Sequence, residues 1–303
     1  MTTTDADVII VGAGPAGLSA ALVLGRACRK VLLFDQDLGR NRFTKRLHGF
    51  ITREGTPPLE FRRMAREELK RLDGVKHEVA QIKSAVRRDE GGFTVLTADG
   101  RSFTSRRLLL ATGVVDNVPD IPGLMDLYGQ SVFHCPYCDG YELRGKPLAV
   151  YGRGKRGYGL SLEMTGWSRD ILLCSDGPSG LNDEERAKLA VNGTTVNEIP
   201  VAGLEGRDGI LERVVFADGS SVPRRALFFT QGQTQCSDLA RTLGCEFNEK
   251  GTVSTGKYEA THIPGLYVAR DASRDVQWVV VAAAEGAEAG YSINQEFIKE
   301  ELL

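Results

Sequence analysis

The chain has 303 residues, enough for about two domains, and 42% of them are hydrophobic. Its formal net charge of -2 provides no excess of positive charge for binding nucleic acid or an anionic membrane. No apolar run approaches the roughly 20 residues of a transmembrane helix, and residues 1–7 lack the basic flank and apolar core of a signal peptide. We therefore expect a cytoplasmic protein, with no nucleic-acid or membrane partner, in which a close cysteine pair is more often catalytic than structural.

The chain opens with a complete dinucleotide-binding fingerprint. An apolar strand over residues 7–11 leads into a glycine-rich turn, an Ala/Leu-rich helix and a second strand that ends at Asp35. Such a turn lets the backbone approach a pyrophosphate at the helix N-terminus, and the acid accepts a hydrogen bond from a ribose hydroxyl. A plain glycine-rich turn is the alternative, but it does not account for the acid in register. The predicted nucleotide-binding residues are Gly12, Gly14, Pro15, Ala16, Gly17 and Asp35.

Cys135 and Cys138 form a CxxC pair shortly before a second glycine-rich loop. At this spacing two cysteines can close a disulfide with little backbone movement, so that one thiol attacks a substrate while the other resolves the mixed disulfide. A zinc site would need two further ligands. No two histidines have ligand spacing, and the other cysteines are isolated: Cys28, Cys174, Cys236 and Cys245. The pattern favours a redox pair over a metal site or inert packing.

The order of elements then repeats. A strand over 148–151, a glycine-rich loop, a helix and a strand over 171–174 follow one another as in the first unit. Each unit continues with a predicted hairpin that has an Asp-Gly turn, at 98–100 and at 217–219. A repeat of this length indicates duplicated domains. The candidates for a second nucleotide site are Gly152, Gly154, Lys155, Arg156 and Asp176.

The last part of the chain carries a strand over 265–271 and a long helix over 278–300, and elements of this kind normally rejoin the first domain. We therefore predict an α/β fold with two dinucleotide-binding (Rossmann-like) three-layer domains, the second inserted in the first. The predicted boundaries are 1–117 and 239–303 for the first domain and 118–238 for the inserted domain, which carries the CxxC pair.

These motifs together resemble the thioredoxin reductase family of low-molecular-weight flavoproteins, along nearly the whole chain. The first glycine-rich loop, the Ala-Thr-Gly end of a strand at 111–113 and the Cys-Pro-Tyr-Cys-Asp-Gly segment carry the resemblance, with the strand to Asp271 and Gln277. The resemblance implies FAD in the first domain, with its reactive ring beside the disulfide. Gln277 and the N-terminus of the last helix would face the flavin edge that becomes negative on reduction. The flavin residues so implied are Ala111, Thr112, Gly113, Asp271, Gln277 and Trp278.

The resemblance also implies roles around the disulfide. Cys138 would receive electrons from the flavin, Cys135 would attack an external disulfide, and Asp139 would shuttle the proton. His134, next to the first cysteine, could help to deprotonate a thiol, although a packed or solvated ring is the alternative. Asp139 has its own alternative, a turn-forming residue before glycine. The implied substrate is a thioredoxin-like protein or a small disulfide or dithiol, and we expect a homodimer.

Three residue patterns depart from the family. Asp176 stands where the family binds NADPH through basic residues, so it would repel a 2′-phosphate and suit a free 2′-hydroxyl. NADPH is therefore not expected as the donor, while NADH or a second FAD stays open. Arg153, Lys155 and Arg156 place three cations in a loop that usually holds small residues, where they could clamp a pyrophosphate or a protein acid, or block the pocket. Arg270 replaces the usual glycine beside the acid, either to reach a phosphate or as a surface change.

The flavin loop is similar to another branch of the family. Residues 41–43 and 48–50 look like those of the gliotoxin-type dithiol oxidases, a branch that also includes ferredoxin-dependent and diflavin-linked disulfide reductases. Asn41, Arg42 and His48 are the candidate cofactor residues of this loop. The sequence thus predicts an FAD-dependent thiol–disulfide oxidoreductase with no metal. The open alternatives are a dithiol oxidase that uses O2, a reductase supplied by ferredoxin or a second flavin, and a flavin-binding partner protein without turnover.

Overall fold

The structure is a computed structural model that describes residues 4–269 and 277–302. The chain divides into two compact units, described separately below. The first contains Met1–Arg42, Phe50–Val115 and Gln233–Leu303, and the second contains Phe43–Gly49 and Asp116–Gly232. Among the described residues, no helix has both the length and the apolar character needed to cross a membrane.

Helices and strands alternate along much of the chain. The helices are α1 (Pro15–Arg26), α2 (Pro58–Leu69), α3 (Leu124–Leu127), α4 (Pro136–Asp139), α5 (Gly154–Met164), α6 (Asp183–Val191), α7 (Leu239–Thr242) and α8 (Val279–Leu302). The strands are β1 (Ala6–Val11), β2 (Val31–Asp35), β3 (Val75–Val79), β4 (Ile82–Arg87), β5 (Phe93–Thr97), β6 (Ser102–Leu110), β7 (Val114–Asp116), β8 (Val132–Phe133), β9 (Leu148–Tyr151), β10 (Ile171–Cys174), β11 (Thr194–Asn197), β12 (Val201–Arg207), β13 (Ile210–Phe216), β14 (Ser221–Pro223), β15 (Ala226–Phe229), β16 (Gln233–Gln235) and β17 (Leu266–Val268).

The first unit is built on a sheet of strand order β3-β2-β1-β6-β5-β4, in which β17 also pairs with β6. The central strands β2, β1 and β6 are parallel, whereas β4, β5 and β6 form antiparallel pairs that include the predicted hairpin. Ile9 and Ile10 are fully buried on opposite sides of β1, because a central parallel strand is covered on both faces. Helices α1 and α8 cover one face, with the core residues Leu24, Ile293 and Phe297 between them and the sheet.

The second unit repeats this arrangement on a smaller scale. Its five-stranded sheet has the order β11-β10-β9-β15-β8 and is parallel throughout. A separate antiparallel sheet contains β12, β13 and β14. The β9–α5–β10 segment therefore matches β1–α1–β2. The predicted α/β class with two dinucleotide-binding units is confirmed.

In both units, glycines allow the first helix to pack closely on the preceding loop. A Cβ atom on Gly17 would lie 1.8 Å from the Gly12 carbonyl oxygen, and one on Gly157 would lie 2.3 Å from the Gly152 oxygen. Gly12 has a φ of +106°, and a Cβ there would lie 2.3 Å from the oxygen of Ala111 at the end of β6. No larger residue fits at these positions without displacing backbone.

Candidate active site and nucleotide-binding loops

Cys135 and Cys138 are joined by a disulfide, with an S–S distance of 2.06 Å and a Cα–Cα distance of 5.3 Å. Strand β8 ends just before Cys135, and Pro136 starts the single turn of α4, where its fixed φ suits the first helical position. This turn brings the two cysteines together, and the Cys138 amide donates to the Cys135 carbonyl at 3.2 Å. Both cysteines are partly exposed.

Three of the other described cysteines are poorly suited to thiol–disulfide exchange, whereas Cys28 is exposed. Burial raises the pKa of Cys174 to about 12 and that of Cys245 to about 11, and it also raises the pKa of Cys236. These three thiols therefore stay protonated near neutral pH, and they are weak nucleophiles because only the thiolate form attacks a disulfide. Residues 4–269 and 277–302 contain no cluster of three or more His, Cys, Asp or Glu side chains that could hold a metal.

Asp139 follows Cys138 at the end of α4 and has an unusual proton affinity. Removal from solvent is the main cause that raises the pKa of Asp139 to about 7; the nearby Glu142 carboxylate raises it further, while His48 lowers it. The His48 ring lies 4.0 Å from Glu142, measured from Nδ1 to Oε1. A carboxyl group with this pKa carries its proton about half of the time at neutral pH, which is the property a proton donor beside a thiol needs.

His134 sits directly before Cys135 and takes part in a short polar chain. The Tyr128 hydroxyl donates to Asp116 Oδ2 at 3.2 Å and lies 3.2 Å from His134 Nδ1. With the hydroxyl proton on Asp116, Nδ1–H of His134 would donate to the tyrosine oxygen, a tautomer in which Nε2 is the acceptor atom of the neutral ring. Asp116 is nearly buried, with 8% of its side chain exposed, whereas His134 is 37% exposed. Asp116, Tyr128 and His134 therefore form one polar chain that ends next to Cys135.

Aromatic side chains hold the CxxC turn. The Tyr137 and Trp167 rings meet edge to face, with centroids 5.3 Å apart. Trp167 also packs on Gly140, where a Cβ atom would lie 3.0 Å from the indole ring. Trp167, Tyr128 and Asp116 belong to no sequence motif, so no pattern in the chain predicts their part in this site.

In the first unit, the carboxyl ends of β1, β2 and β6 meet at the glycine-rich loop. The Ala13 amide donates to Asp35 Oδ1 at 3.3 Å, and the Gly12 amide donates to the Phe34 carbonyl at 2.7 Å. A Cβ atom on Gly14 would have no atom within 4 Å, so the N-terminus of α1 faces open space. Helix N-termini beside such space bind phosphate groups. The segment Ala111, Thr112 and Gly113 follows β6 at the same edge.

The remaining predicted flavin residues fall in different places. Asn41 and Arg42 lie in the short 3₁₀ turn Arg40–Phe43, and Arg40 donates to Gln277 Oε1 at 2.6 Å, so this turn and the start of α8 are in contact. Trp278 is 38% exposed. His48 belongs to the second unit, near Glu142. Arg270 and Asp271 lie outside the described residues.

The second glycine-rich loop has the backbone of a nucleotide site but different side-chain contacts. Both carboxylate oxygens of Asp176 are used within the unit, since Oδ1 accepts from the Val201 amide and Oδ2 from the Tyr151 hydroxyl, each at 2.9 Å. Arg153 Nε donates to the Ser175 carbonyl at 3.1 Å, and its Nη2 donates to the Asp176 carbonyl. The Arg153 guanidinium therefore covers the carboxyl end of β10, where a dinucleotide ribose normally lies.

The other candidates of this loop are more open. Lys155 and Arg156 are exposed, and the Arg156 guanidinium approaches Gly232 at the end of β15. Gly154 has a φ of +58° and open space beside it, and Gly152 makes the close contact with the first turn of α5 described above.

The chain matches known proteins over nearly its whole length. Residues 6–286 match the family model described as pyridine nucleotide-disulphide oxidoreductase. Thioredoxin reductase tcpT of Claviceps purpurea is 31% identical over 311 residues, which cover 98% of this chain and 96% of that protein. Thioredoxin reductase aclD of Aspergillus oryzae is 30% identical, with 95% of each chain covered.

Solved structures agree with these relatives. HlmI superposes with a TM-score of 0.93 at 32% identity, over 98% of this chain and 93% of that one. The oxidoreductase from Agrobacterium tumefaciens gives 0.90 at 33% identity, over 97% and 98%. The resemblance found in the sequence is confirmed. The chain belongs to the pyridine nucleotide-disulphide oxidoreductase family and is an enzyme similar to its thioredoxin reductases.

Proposed function

We propose that the protein is an FAD-dependent thiol–disulfide oxidoreductase whose redox group is the Cys135–Cys138 disulfide and whose electron donor is not NADPH. The observation that carries the proposal is the partly exposed disulfide followed directly by Asp139, a carboxyl group with a pKa of about 7. A dithiol needs both an accessible sulfur and a proton donor matched to neutral pH, and these residues supply the two together.

The residues of the first unit fit FAD. The Gly12–Gly17 turn, the open N-terminus of α1 and the carboxylate of Asp35 are the parts that a pyrophosphate and an adenosine ribose require. Gln277, at the start of α8, and the 111–113 segment complete the proposed set. Bound FAD would exchange two electrons with the disulfide. FMN lacks the adenosine that Asp35 would recognise, so we expect the extracted flavin to be FAD.

The exchange itself uses side chains of the second unit. The Cys135 thiolate attacks one sulfur of the substrate disulfide and releases the other as a thiolate, which takes a proton from Asp139 or solvent. The Cys138 thiolate then attacks the Cys135 sulfur, which releases the second substrate thiolate and restores the Cys135–Cys138 disulfide. His134, beside Cys135 and in contact with Tyr128 through Nδ1, is the proposed base that removes a thiol proton. In the oxidase direction every step runs in reverse.

The contacts of the second loop argue against NADPH. A 2′-phosphate needs available cationic partners at the end of β10. Asp176 there is an acid bonded to Tyr151 and Val201, and the nearby Arg153 guanidinium already donates to the carbonyls of Ser175 and Asp176. Each missing charge-assisted contact lowers affinity by about ten- to a hundredfold. A dinucleotide without the 2′-phosphate would still have to displace Arg153 from the carbonyls of Ser175 and Asp176.

We propose a thioredoxin-like protein or a small disulfide as the substrate. Tyr137 and Tyr141 are 61% and 64% exposed in the segment that contains and follows the CxxC turn, and exposed tyrosines are frequent in contact surfaces. Ferredoxin as a donor, a homodimer and a cytoplasmic location remain further proposals. For the homodimer, the exposed Ile51 and Leu59 offer apolar contact area, and sedimentation of the purified protein tests it.

The deciding experiment is anaerobic reduction of the purified holoenzyme, followed at the flavin absorbance, with NADPH, NADH and reduced ferredoxin in turn. We expect NADPH to be the slowest of the three. Rapid reduction by micromolar NADPH would overturn the donor proposal. Steady H2O2 formation from a dithiol and O2 would favour the dithiol oxidase, and two flavins per chain after denaturation would favour a second flavin as the electron source.

A further inference from the structure

A cluster of four charged side chains surrounds the carboxyl end of β2. Arg62 and Arg66 lie one turn apart on α2, and both guanidiniums reach Asp35 and Asp37. Arg62 Nη2 lies 2.5 Å from Asp35 Oδ2 and 2.5 Å from Asp37 Oδ1. Arg66 Nη2 lies 3.2 Å from the former oxygen and 2.7 Å from the latter. Two carboxylates therefore share two guanidiniums, and the cluster has no net charge.

The burial of this cluster is uneven. The Arg62 side chain is 6% exposed and that of Asp35 is 11%, against 23% for Arg66 and 49% for Asp37. Buried ions need opposite charges and hydrogen bonds, so Arg62 and Asp35 form the core of the cluster. The Nε atoms of both arginines are buried and have no hydrogen-bond partner in the part of the chain that the structure describes. Both guanidiniums therefore contact the carboxylates through their terminal Nη2 atoms.

The arginines also decide how many hydrogen bonds Asp35 can still accept. An ionised carboxylate has about four acceptor positions, two on each oxygen. Arg62 and Arg66 both donate to Oδ2, and the Ala13 amide donates to Oδ1. One position on Oδ1 is left for a ligand. An unrestrained carboxylate would accept bonds from both hydroxyls of a ribose, whereas this one has room for a single hydroxyl.

We propose that Arg62, assisted by Arg66, is a positioning residue that fixes the Asp35 carboxylate so that it reads one ribose hydroxyl of the adenosine half of the cofactor. The inference rests on the proposed FAD site. The guanidiniums bond the Asp35 carboxylate through Oδ2, which restricts its rotation, and they offset a negative charge that would otherwise repel the cofactor pyrophosphate at the neighbouring loop. Neither arginine needs to touch the ligand.

The test compares FAD with its 2′-deoxyadenosine and 3′-deoxyadenosine analogues, titrated into apoprotein by quenching of flavin fluorescence. For the wild type, removal of one hydroxyl should weaken binding about tenfold, and removal of the other should change it little. Arg62→Met should weaken FAD binding by ten- to a hundredfold and should bind the two analogues almost equally to each other, because an unrestrained carboxylate contacts either hydroxyl. Arg66→Met should show the same loss of discrimination to a smaller degree, because its contact with Asp35 is longer.

Arg63→Met is the matched control, since Arg63 lies on the same helix and pairs only with Glu60 among the described ion pairs. This variant should behave as the wild type, and Arg62→Lys should recover part of the discrimination. Equal weakening of all three ligands by Arg62→Met, or unchanged discrimination, would overturn the proposal. If Arg62→Met does not fold, Arg66→Met decides by the same criterion. Failure of the wild type to bind FAD at all would instead refute the proposed function.

Discussion

Replacement of Asp139 by Asn tests the proposed role of Asp139 as the proton donor of the exchange reaction. The pKa of Asp139 is raised from 3.8 to about 7, mainly by burial. At 1.36 kcal/mol per pKa unit, the protein disfavours the ionised carboxylate by about 4 kcal/mol relative to water. Asparagine keeps the shape and a hydrogen-bond donor but has no acidic proton.

The assay is the rate at which a small dithiol reduces the Cys135–Cys138 disulfide, divided by the concentration of its thiolate form at each pH. This rate constant should be level below pH 7, because Asp139 is then protonated and can donate to the departing sulfur. It should fall by about tenfold per pH unit above 7, as the donor titrates. Asp139→Asn should be lower by about a hundredfold at pH 6 and should show no alkaline fall.

Glu142→Gln provides the control. The Glu142 carboxylate raises the pKa of Asp139 only as a minor cause, so this variant should keep the alkaline fall and move its midpoint slightly to lower pH. An alkaline fall that survives in Asp139→Asn would refute the assigned role, as would a wild-type rate that stays level to pH 9.

The same pKa shift makes a separate statement about stability. The folded-state pKa of Asp139 lies above the unfolded value, so the wild type loses stability as the pH rises from about 4 to about 7 and then no further. Asp139→Asn has no carboxyl group at this position and therefore lacks this pH-dependent contribution to stability. Its stability relative to the wild type should therefore rise by up to about 4 kcal/mol across this interval, measured by denaturant unfolding. A constant difference would show that burial does not raise this pKa.

Three further predictions concern the loops and the histidine. Gly17→Ala should destabilise the apoprotein by about 1–3 kcal/mol, because its Cβ would lie 1.8 Å from a backbone carbonyl oxygen. Gly14→Ala should leave the melting of the apoprotein unchanged and lower its FAD affinity, because its Cβ would point into open space. Asp176→Arg should lower the unfolding free energy by about 1–3 kcal/mol, because the Val201 amide and the Tyr151 hydroxyl lose their acceptor. The variant should not be reduced by NADPH any faster than the wild type. Tyr128→Phe should slow thiol–disulfide exchange near pH 7, because His134 loses the hydroxyl beside Nδ1, but by less than the roughly hundredfold expected when a general base is removed. The flavin content should not change. An unchanged exchange rate would argue against a role of His134 in the mechanism.

The features that the sequence predicted are those encoded locally. The first glycine-rich turn, the strand ending in Asp35 and the CxxC pair each occupy consecutive residues or a short, fixed spacing, and the helix predicted over 278–300 appears as α8, Val279–Leu302. Glycines at such turns are required by close backbone contacts, so their spacing alone indicates the structure.

The missed features depend on contacts between distant positions. Arg62 meets Asp35 across 27 residues, and Asp176 meets Val201 across 25. Neither pair has a spacing or residue type that would single it out among the many charged residues of the chain. The raised pKa of Asp139 could not be predicted from the sequence either, because burial is its main cause and burial depends on the packing of the whole unit.

The central proposal is that a bound flavin exchanges electrons with the Cys135–Cys138 disulfide. Its most direct test is an anaerobic titration of the purified holoenzyme with dithionite, which counts the electrons taken up per chain. Since a disulfide and a flavin each accept two electrons, the wild type should take up four and the Cys135→Ser and Cys138→Ser variants two, with FAD still bound. Uptake of two electrons by the wild type, or of four by either variant, would contradict the account.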